Sequence, residues 1–105
     1  MPDAYCMVIT TVGSKDEGDR LAEELVTRRL AACVQTTPVS SVYTWNGALQ
    51  KDAEYLLLIK TTARRYDELV AAIREIHSYE VPEIVRLSIE AGFDPYLEWL
   101  SKSTI

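Results

Sequence analysis

An α+β domain whose elements run β-α-β-β-α-β-α is the fold class predicted by this 105-residue sequence. Three observations predict it. Two apolar runs without polar alternation, Tyr5-Cys6-Met7-Val8-Ile9 and Leu56-Leu57-Leu58-Ile59, mark central strands buried on both faces. Two other segments, from Leu21 to Leu30 and from Tyr66 to His77, place apolar residues at helical spacing. Asn46-Gly47 then separates two strand-like stretches and suits a type I′ hairpin turn, whose central residues both need positive φ.

The first strand is expected over Ala4–Val12. Ser14, three residues ahead of Glu17, offers a capping box in which each side chain satisfies an orphan N–H at a helix start. The first helix carries Leu21, Ala22, Leu25, Val26 and Leu30 on one face and ends close to Leu30. Its acids, Asp16, Glu17 and Asp19, lie near the positive end of the dipole, and Arg28 and Arg29 lie near the negative end. Cys33 to Trp45 is rich in valine, threonine and aromatics, which predicts a second strand. Pro38 cannot donate to a ladder and so places that strand at an edge or a bulge.

After the turn a third strand covers Ala48–Thr61, and a second helix spans Ala63–His77 with Tyr66, Leu69, Val70, Ile73 and Ile76 on one face. Pro82 forces the residues before it to be extended, after which Ile84, Val85, Leu87 and Ile89 form a fourth strand that Gly92 interrupts. Asp94-Pro95, an N-cap followed by proline at the first helical position, opens a short C-terminal helix bearing Tyr96, Leu97, Trp99 and Leu100.

This order is the split β-α-β pattern of the ferredoxin-like sandwich, in which the first and third strands are central and the second and fourth are edges. The two uninterrupted apolar runs occupy the central places. One domain over residues 1–105 is expected, since a chain of this length buries roughly two-thirds of the surface its unfolded form exposes. Val39, Val42, Tyr43 and Trp45 make the second strand a long, apolar, uncharged edge, which calls for cover by another chain and predicts an oligomer.

Composition narrows the function. With 48% hydrophobic and 26% charged residues the chain has ordinary globular usage, which excludes disordered, collagen-like and rod-like classes. Eleven Lys and Arg against 16 Asp and Glu leave a net charge of −5, so polyphosphate is repelled and no nucleic-acid partner is expected. An RNA-recognition module of the same strand order needs aromatic and basic residues on its central strands, where Tyr55-Leu56-Leu57-Leu58-Ile59 stands here. A phosphate-cradling hydrolase needs a glycine-rich loop, and Val12-Gly13-Ser14-Lys15 has one glycine. Cys6 and Cys33 are too few for a disulfide scaffold, no apolar run reaches the roughly 18 residues of a membrane span, and Met1-Pro2-Asp3 carries no basic leader. A cytoplasmic location away from membranes is the expectation.

Four motifs occur in order: Arg29-Leu30-Ala31-Ala32-Cys33-Val34, Tyr43-Thr44-Trp45-Asn46-Gly47, Ile59-Lys60-Thr61-Thr62 and His77-Ser78-Tyr79-Glu80-Val81-Pro82-Glu83-Ile84. Together with Tyr96-Leu97-Glu98-Trp99-Leu100 they cover Val8 to Leu100, and they resemble the CutA family of divalent-cation tolerance proteins. The resemblance implies a ferredoxin-like homotrimer in which edge strands of neighbouring subunits pair and the long second and third strands wrap the next protomer. It also implies a non-enzymatic protein of divalent metal tolerance and response that binds metal ion, copper in particular, at low specificity. The sequence departs from the family pattern where histidine-proline-tyrosine becomes His77-Ser78-Tyr79, which predicts a less rigid turn. Asn46 and Ala48 replace an acidic and a basic residue around the glycine turn, and Ile76 and Thr10 stand where some members carry a second histidine and a cysteine.

His77 is the only histidine, and its neutral imidazole suits Cu(II) or Zn(II). One imidazole alone is a poor ligand set, so Glu80, Glu83 or symmetry-related copies would have to complete the site. The competing reading is a helix-end histidine packed under Tyr79. Tyr43, Trp45, Tyr79, Tyr96 and Trp99 form an aromatic set that either lines an intersubunit cleft or seals an interface. Lys60, Glu54 and Glu83 are the polar candidates for such a cleft, whose expected occupant is a small anionic ligand or a partner segment. Neither reading requires a cofactor; copper or another divalent cation is the candidate ion. Cys6 and Cys33 read as core residues, and no nucleophile, base and orienter gather in the sequence, which speaks against an enzyme.

Overall fold

Burial alternates along β1 (Tyr5–Val12), with Cys6, Val8, Thr10 and Val12 buried and Tyr5, Met7, Ile9 and Thr11 half-buried. The computed structural model describes residues 4–105; Met1-Pro2-Asp3, on which the leader expectation rested, lie outside the described residues. Helix α1 (Lys15–Thr27) starts as expected, with Ser14 Oγ accepting the Glu17 N–H at 3.1 Å. Only half of the capping box forms, because the Glu17 carboxylate turns to Ser78 instead.

The helix also ends at Thr27 rather than near Leu30. Leu30 N–H reaches back to Leu25 O and Arg29 N–H to Val26 O, both at 3.0 Å, and Arg29 adopts φ 59°. That is the paired closure of a Schellman motif, with arginine in the left-handed place glycine usually takes. Leu30 continues the apolar face without being helical, since it is buried in the core after the chain has turned.

Strands β2 (Cys33–Trp45) and β3 (Ala48–Thr62) pair antiparallel from Cys33↔Lys60 to Trp45↔Ala48. Asn46 at φ 51° and Gly47 at φ 78° form the turn that the sequence marked. β1 pairs with β3 only over Tyr55–Thr62, so Val39–Trp45 and Ala48–Glu54 project as a two-stranded ribbon. The second helical segment is divided. Ala63–Arg65 make a 3-10 turn, Ala63 N–H being taken by Ala4 O at 2.8 Å, and α2 covers Tyr66–Ile76. His77 leaves the helix with ψ 137°, one residue earlier than expected, because its ring is anchored on β1.

Strand β4 (Val85–Ile89) pairs antiparallel with β1. In α3 (Asp94–Ser103) Phe93 rather than Asp94 occupies the cap, its carbonyl accepting from Tyr96 and Leu97 N–H. The last turn of α3 is held by Arg29, donating to Lys102 O at 3.0 Å, and by Arg65, donating to Thr104 O at 2.7 Å.

The sheet order is β2-β3-β1-β4, the ferredoxin-like order, with β1 and β3 central. α1 and α2 bury Leu21, Leu25, Leu69 and Ile73 against Val8, Val12, Leu57 and Ile59. The central strands are therefore dry on one face only, contrary to the double burial expected from their apolar runs. On the other face α3 reaches one end, through Tyr5 Oη to Ser101 Oγ and Thr62 Oγ1 to Thr104 Oγ1, and leaves Met7, Ile9, Leu56, Leu58, Val85 and Leu87 half-buried or exposed.

Candidate functional site

The segment that leaves α2 builds the site. His77 Nε2 meets the Thr11 carbonyl at 2.7 Å, and Nδ1 accepts the Tyr79 backbone N–H at 3.0 Å. An Nδ1 that accepts leaves the proton on Nε2, so the bonding pattern assigns a neutral tautomer with both nitrogens engaged. The ring is fully buried. Ser78 donates its N–H and its hydroxyl to Glu17 Oε1, at 3.0 and 2.7 Å. Burial raises the Glu17 carboxyl, but the two Ser78 bonds, with smaller contributions from His77 and the Gly13 backbone, together hold Glu17 below the usual glutamate value. The turn without its proline is thus tied down by a serine.

Tyr79 packs its ring 4.8 Å from that of His77 and donates its hydroxyl to Glu54 Oε2 at 2.7 Å. Burial first, then the Glu54 carboxylate, push the phenol well above its ordinary range, which keeps it protonated and donating. Tyr43 similarly donates to Asp52, whose bond raises its phenol. Beneath these side chains lies an open pocket of about 690 Å³. Thr11 forms part of its wall from β1, Tyr43 and Trp45 from the ribbon, and Tyr79, Glu80, Val81 and Glu83 from the loop before β4. Glu54, only 6% exposed, lies deep in it, and Glu80 and Glu83 stand exposed at the rim.

Six of the expected residues, Tyr43, Trp45, Glu54, Tyr79, Glu80 and Glu83, therefore line one pocket. His77 is not among the lining residues; it sits behind Tyr79. Among the described residues no three His, Cys, Asp or Glu side chains converge as a metal set, so His77, Glu80 and Glu83 do not form one within a single chain. The imidazole is engaged at Nε2 by Thr11 O and at Nδ1 by the Tyr79 N–H, which leaves neither nitrogen open to a metal. Lys60 is six residues from Glu54 along β3, roughly 20 Å at strand rise. Its Nζ donates to Gln35 Oε1 at 2.9 Å and lies 5.9 Å from the Tyr96 ring centroid. A single chain thus places three carboxylates and no lysine or arginine among the described lining residues, a poor reception for the small anion expected there.

Ser41, Val81 and Thr11 also line the pocket and were not singled out from the sequence, and Val42 was marked only as part of the apolar edge. Strand parity carries part of that signal, since Ser41, Tyr43 and Trp45 share one face of the ribbon. Cys6 is buried in the core, its thiol pushed up by burial against a weaker opposing pull from Arg86, and Cys33 is half-buried where β2 begins.

Residues 6–103 match the family described as CutA1 divalent ion tolerance protein. The chain is 46% identical over 99 residues to a chloroplastic CutA 1 protein of Oryza sativa, an alignment covering 93% of this chain and 56% of that protein. It is 42% identical over 99 residues to the divalent-cation tolerance protein CutA of Thermus thermophilus, covering 93% and 96% respectively. The chain spans about half the length of the plant relatives it matches. The crystal structure of CutA1 from Oryza sativa superposes with a TM-score of 0.96 at 43% identity, over 99% of this chain and 96% of that one. A protein of Archaeoglobus fulgidus described as a periplasmic divalent cation tolerance protein superposes with a TM-score of 0.95 at 29% identity, over 96% and 99%.

Proposed function

The chain belongs to the CutA1 divalent ion tolerance family, and from that membership we propose that it is a homotrimeric, non-catalytic protein that binds copper or another divalent cation weakly at the rim of its pocket. The observation that carries this reading is the acidic lining of one pocket, Glu54, Glu80 and Glu83 with no basic side chain among the described lining residues; since no three of these converge within one chain, symmetry-related copies would have to complete the ligand set. Exposed carboxylates accept many divalent ions with little discrimination, which accords with low specificity. His77 enters as a positioning residue, because its Nδ1 fixes the Tyr79 backbone and a metal could reach either nitrogen only by breaking a hydrogen bond. Trimer formation is supported by the apolar open face and the projecting ribbon. Placement in the cytoplasm belongs to the same proposal: it rests on two free cysteines, while no helix among the described residues is long and apolar enough to cross a membrane.

Native mass spectrometry with a slight excess of Cu(II) tests both parts. A trimer that gains copper, keeps it in His77→Ala and loses it in the double variant Glu80→Gln, Glu83→Gln is the expected result. Loss of copper in His77→Ala with retention in the double variant would replace the carboxylate rim by the imidazole.

A second reading, a cleft that receives a ligand or a partner segment, is favoured by one feature. Tyr43 and Trp45 remain exposed on the pocket wall beside apolar Val42 and Val81.

A further inference from the structure

We propose that the deep end of the pocket, at Glu54, receives a positively charged organic nitrogen, a primary ammonium or a guanidinium. The proposal rests on the cleft reading and concerns a position distinct from the exposed rim.

Glu54 is 6% exposed, and its Oε2 accepts one hydrogen bond, from the neutral Tyr79 hydroxyl. Among the described residues nothing else donates to this carboxylate, and no lysine, arginine or histidine pairs with it. A carboxylate taken out of water needs a counter-charge or several donors, and one phenol is poor compensation. The second oxygen has no partner among the described residues and is not sealed off from solvent, so it is an acceptor that opens onto a pocket wide enough to admit a ligand.

The walls select the kind of cation. Tyr43 and Tyr79 present rings on the Glu54 side, with both hydroxyls already spent on carboxylates, while Trp45, paired with Ala48, lines the far end of the pocket. Ring faces attract ammonium and guanidinium groups but supply no oxygen ligands to a metal ion. Val42 and Val81 give the methylenes of an alkyl amine an apolar surface. The chemistry is that of an aromatic and apolar wall beside one carboxylate.

Two sources can supply such a nitrogen: a free amine, or a basic side chain of a second copy of this chain. Lys60 is the candidate for the second source. Its Nζ has Gln35 and the Tyr96 ring as partners and no carboxylate among the described residues. By strand parity Lys60 and Glu54 lie on the same, uncovered side of β3, Lys60 near its C-terminal end and Glu54 at mid-strand, where the ribbon leaves β1, so they flank the open sheet face at opposite ends. Head-to-tail packing of copies brings opposite ends together and closes into a ring, so it would pair the unmatched cation of one copy with the unmatched anion of the next.

The test titrates 1,5-diaminopentane, with glutarate as the anionic control, into wild type, Glu54→Gln and Lys60→Met by calorimetry in EDTA. Sedimentation velocity over a dilution series of each follows association. Glu54→Gln keeps the acceptor for Tyr79 and removes only the charge; Tyr43→Leu serves as a second pocket variant should Glu54→Gln misfold. If the nitrogen is a free amine, wild type binds the diamine, Glu54→Gln weakens it tenfold or more, and Lys60→Met has no effect. If it comes from a second copy, wild type takes no diamine, and both Glu54→Gln and Lys60→Met raise the concentration needed for association tenfold or more. The proposal is overturned if Glu54→Gln changes neither quantity, or if glutarate rather than the diamine binds in a Glu54-dependent way. Because EDTA removes metal and the rim carboxylates are untouched, that failure is separate from any failure of copper binding.

Discussion

Glu17, Ser78, His77 and Tyr79 work as one unit at the scale of single residues, because each spends its polar atoms on the next. Glu17 accepts twice from Ser78, His77 holds the Tyr79 N–H, and Tyr79 carries its hydroxyl to Glu54. The Glu17 carboxyl lies below its ordinary value of 4.5, so its contribution to stability is fully present above pH 4.5 and is lost as the pH falls through its lower folded value. Acid titration of stability, followed by urea unfolding, is expected to show this loss in wild type below about pH 4.5 and a flatter acid limb in Glu17→Gln. Equal acid limbs in the two proteins would remove Glu17 as the anchor of the turn. This network was half legible in the sequence. Ser14 and Glu17 showed their local spacing, but the partner that Glu17 prefers is 61 positions away, and no local rule reaches that far. His77 was visible as a residue of interest. Its neutral, doubly bonded state depends on a carbonyl of β1, which only the fold supplies.

Among the elements, the packing of α1 on the sheet depends on a glycine. A Cβ at Gly18 would come within 3.2 Å of Val12 Cγ2 and 3.5 Å of Leu57 Cδ1, so the helix sits close because position 18 has no side chain. Gly18→Leu is expected to lower stability by about 1–3 kcal/mol through overpacking, read as a reduced thermal midpoint in calorimetry. An unchanged midpoint would mean that the helix can lift at no cost. The contrast with Gly47 shows what sequence can and cannot report. Asn46-Gly47 announced a turn because its need for positive φ is local and chemical. Gly18 lies inside a helical pattern, where its role is set by residues of β1 and β3 across the core. The ends of the helices were misjudged for related reasons. Arg29 occupies a left-handed position normally signalled by glycine, and the first turn of the second helix tightened where Ala63 was drawn to Ala4.

The whole molecule is longer than its residue number warrants, with a radius of gyration of 14.4 Å against about 13 Å for a compact domain of this size, and extents of 47 × 25 × 21 Å. The projecting ribbon accounts for the excess, and it leaves apolar side chains such as Leu49 in solvent, 64% exposed. The sequence exposed this problem at the edge strand but hid its larger part. An apolar run reads as doubly buried whether its second face is covered by its own chain or by another, since the residues are the same in both cases. Here the second face holds Met7, Ile9, Leu56, Leu58 and Leu87, and only one of its ends meets α3. If association covers this face, placing a charge there must separate the subunits while sparing the fold, whose core lies on the opposite side. Leu87→Lys, on the 45%-exposed outer position of β4, is expected to shift sedimentation toward the single chain with unchanged far-ultraviolet dichroism, and so is Leu49→Lys, which by strand parity lies on the other face of the ribbon and tests the ribbon's own part in association. Val26→Lys, at an exposed apolar site on α1, supplies the control: it adds the same charge to the helical layer and should leave the assembly intact. Persistence of the assembly in both Leu87→Lys and Leu49→Lys, with Val26→Lys dissociating, would move the interface to the helices and leave the open sheet face without a partner.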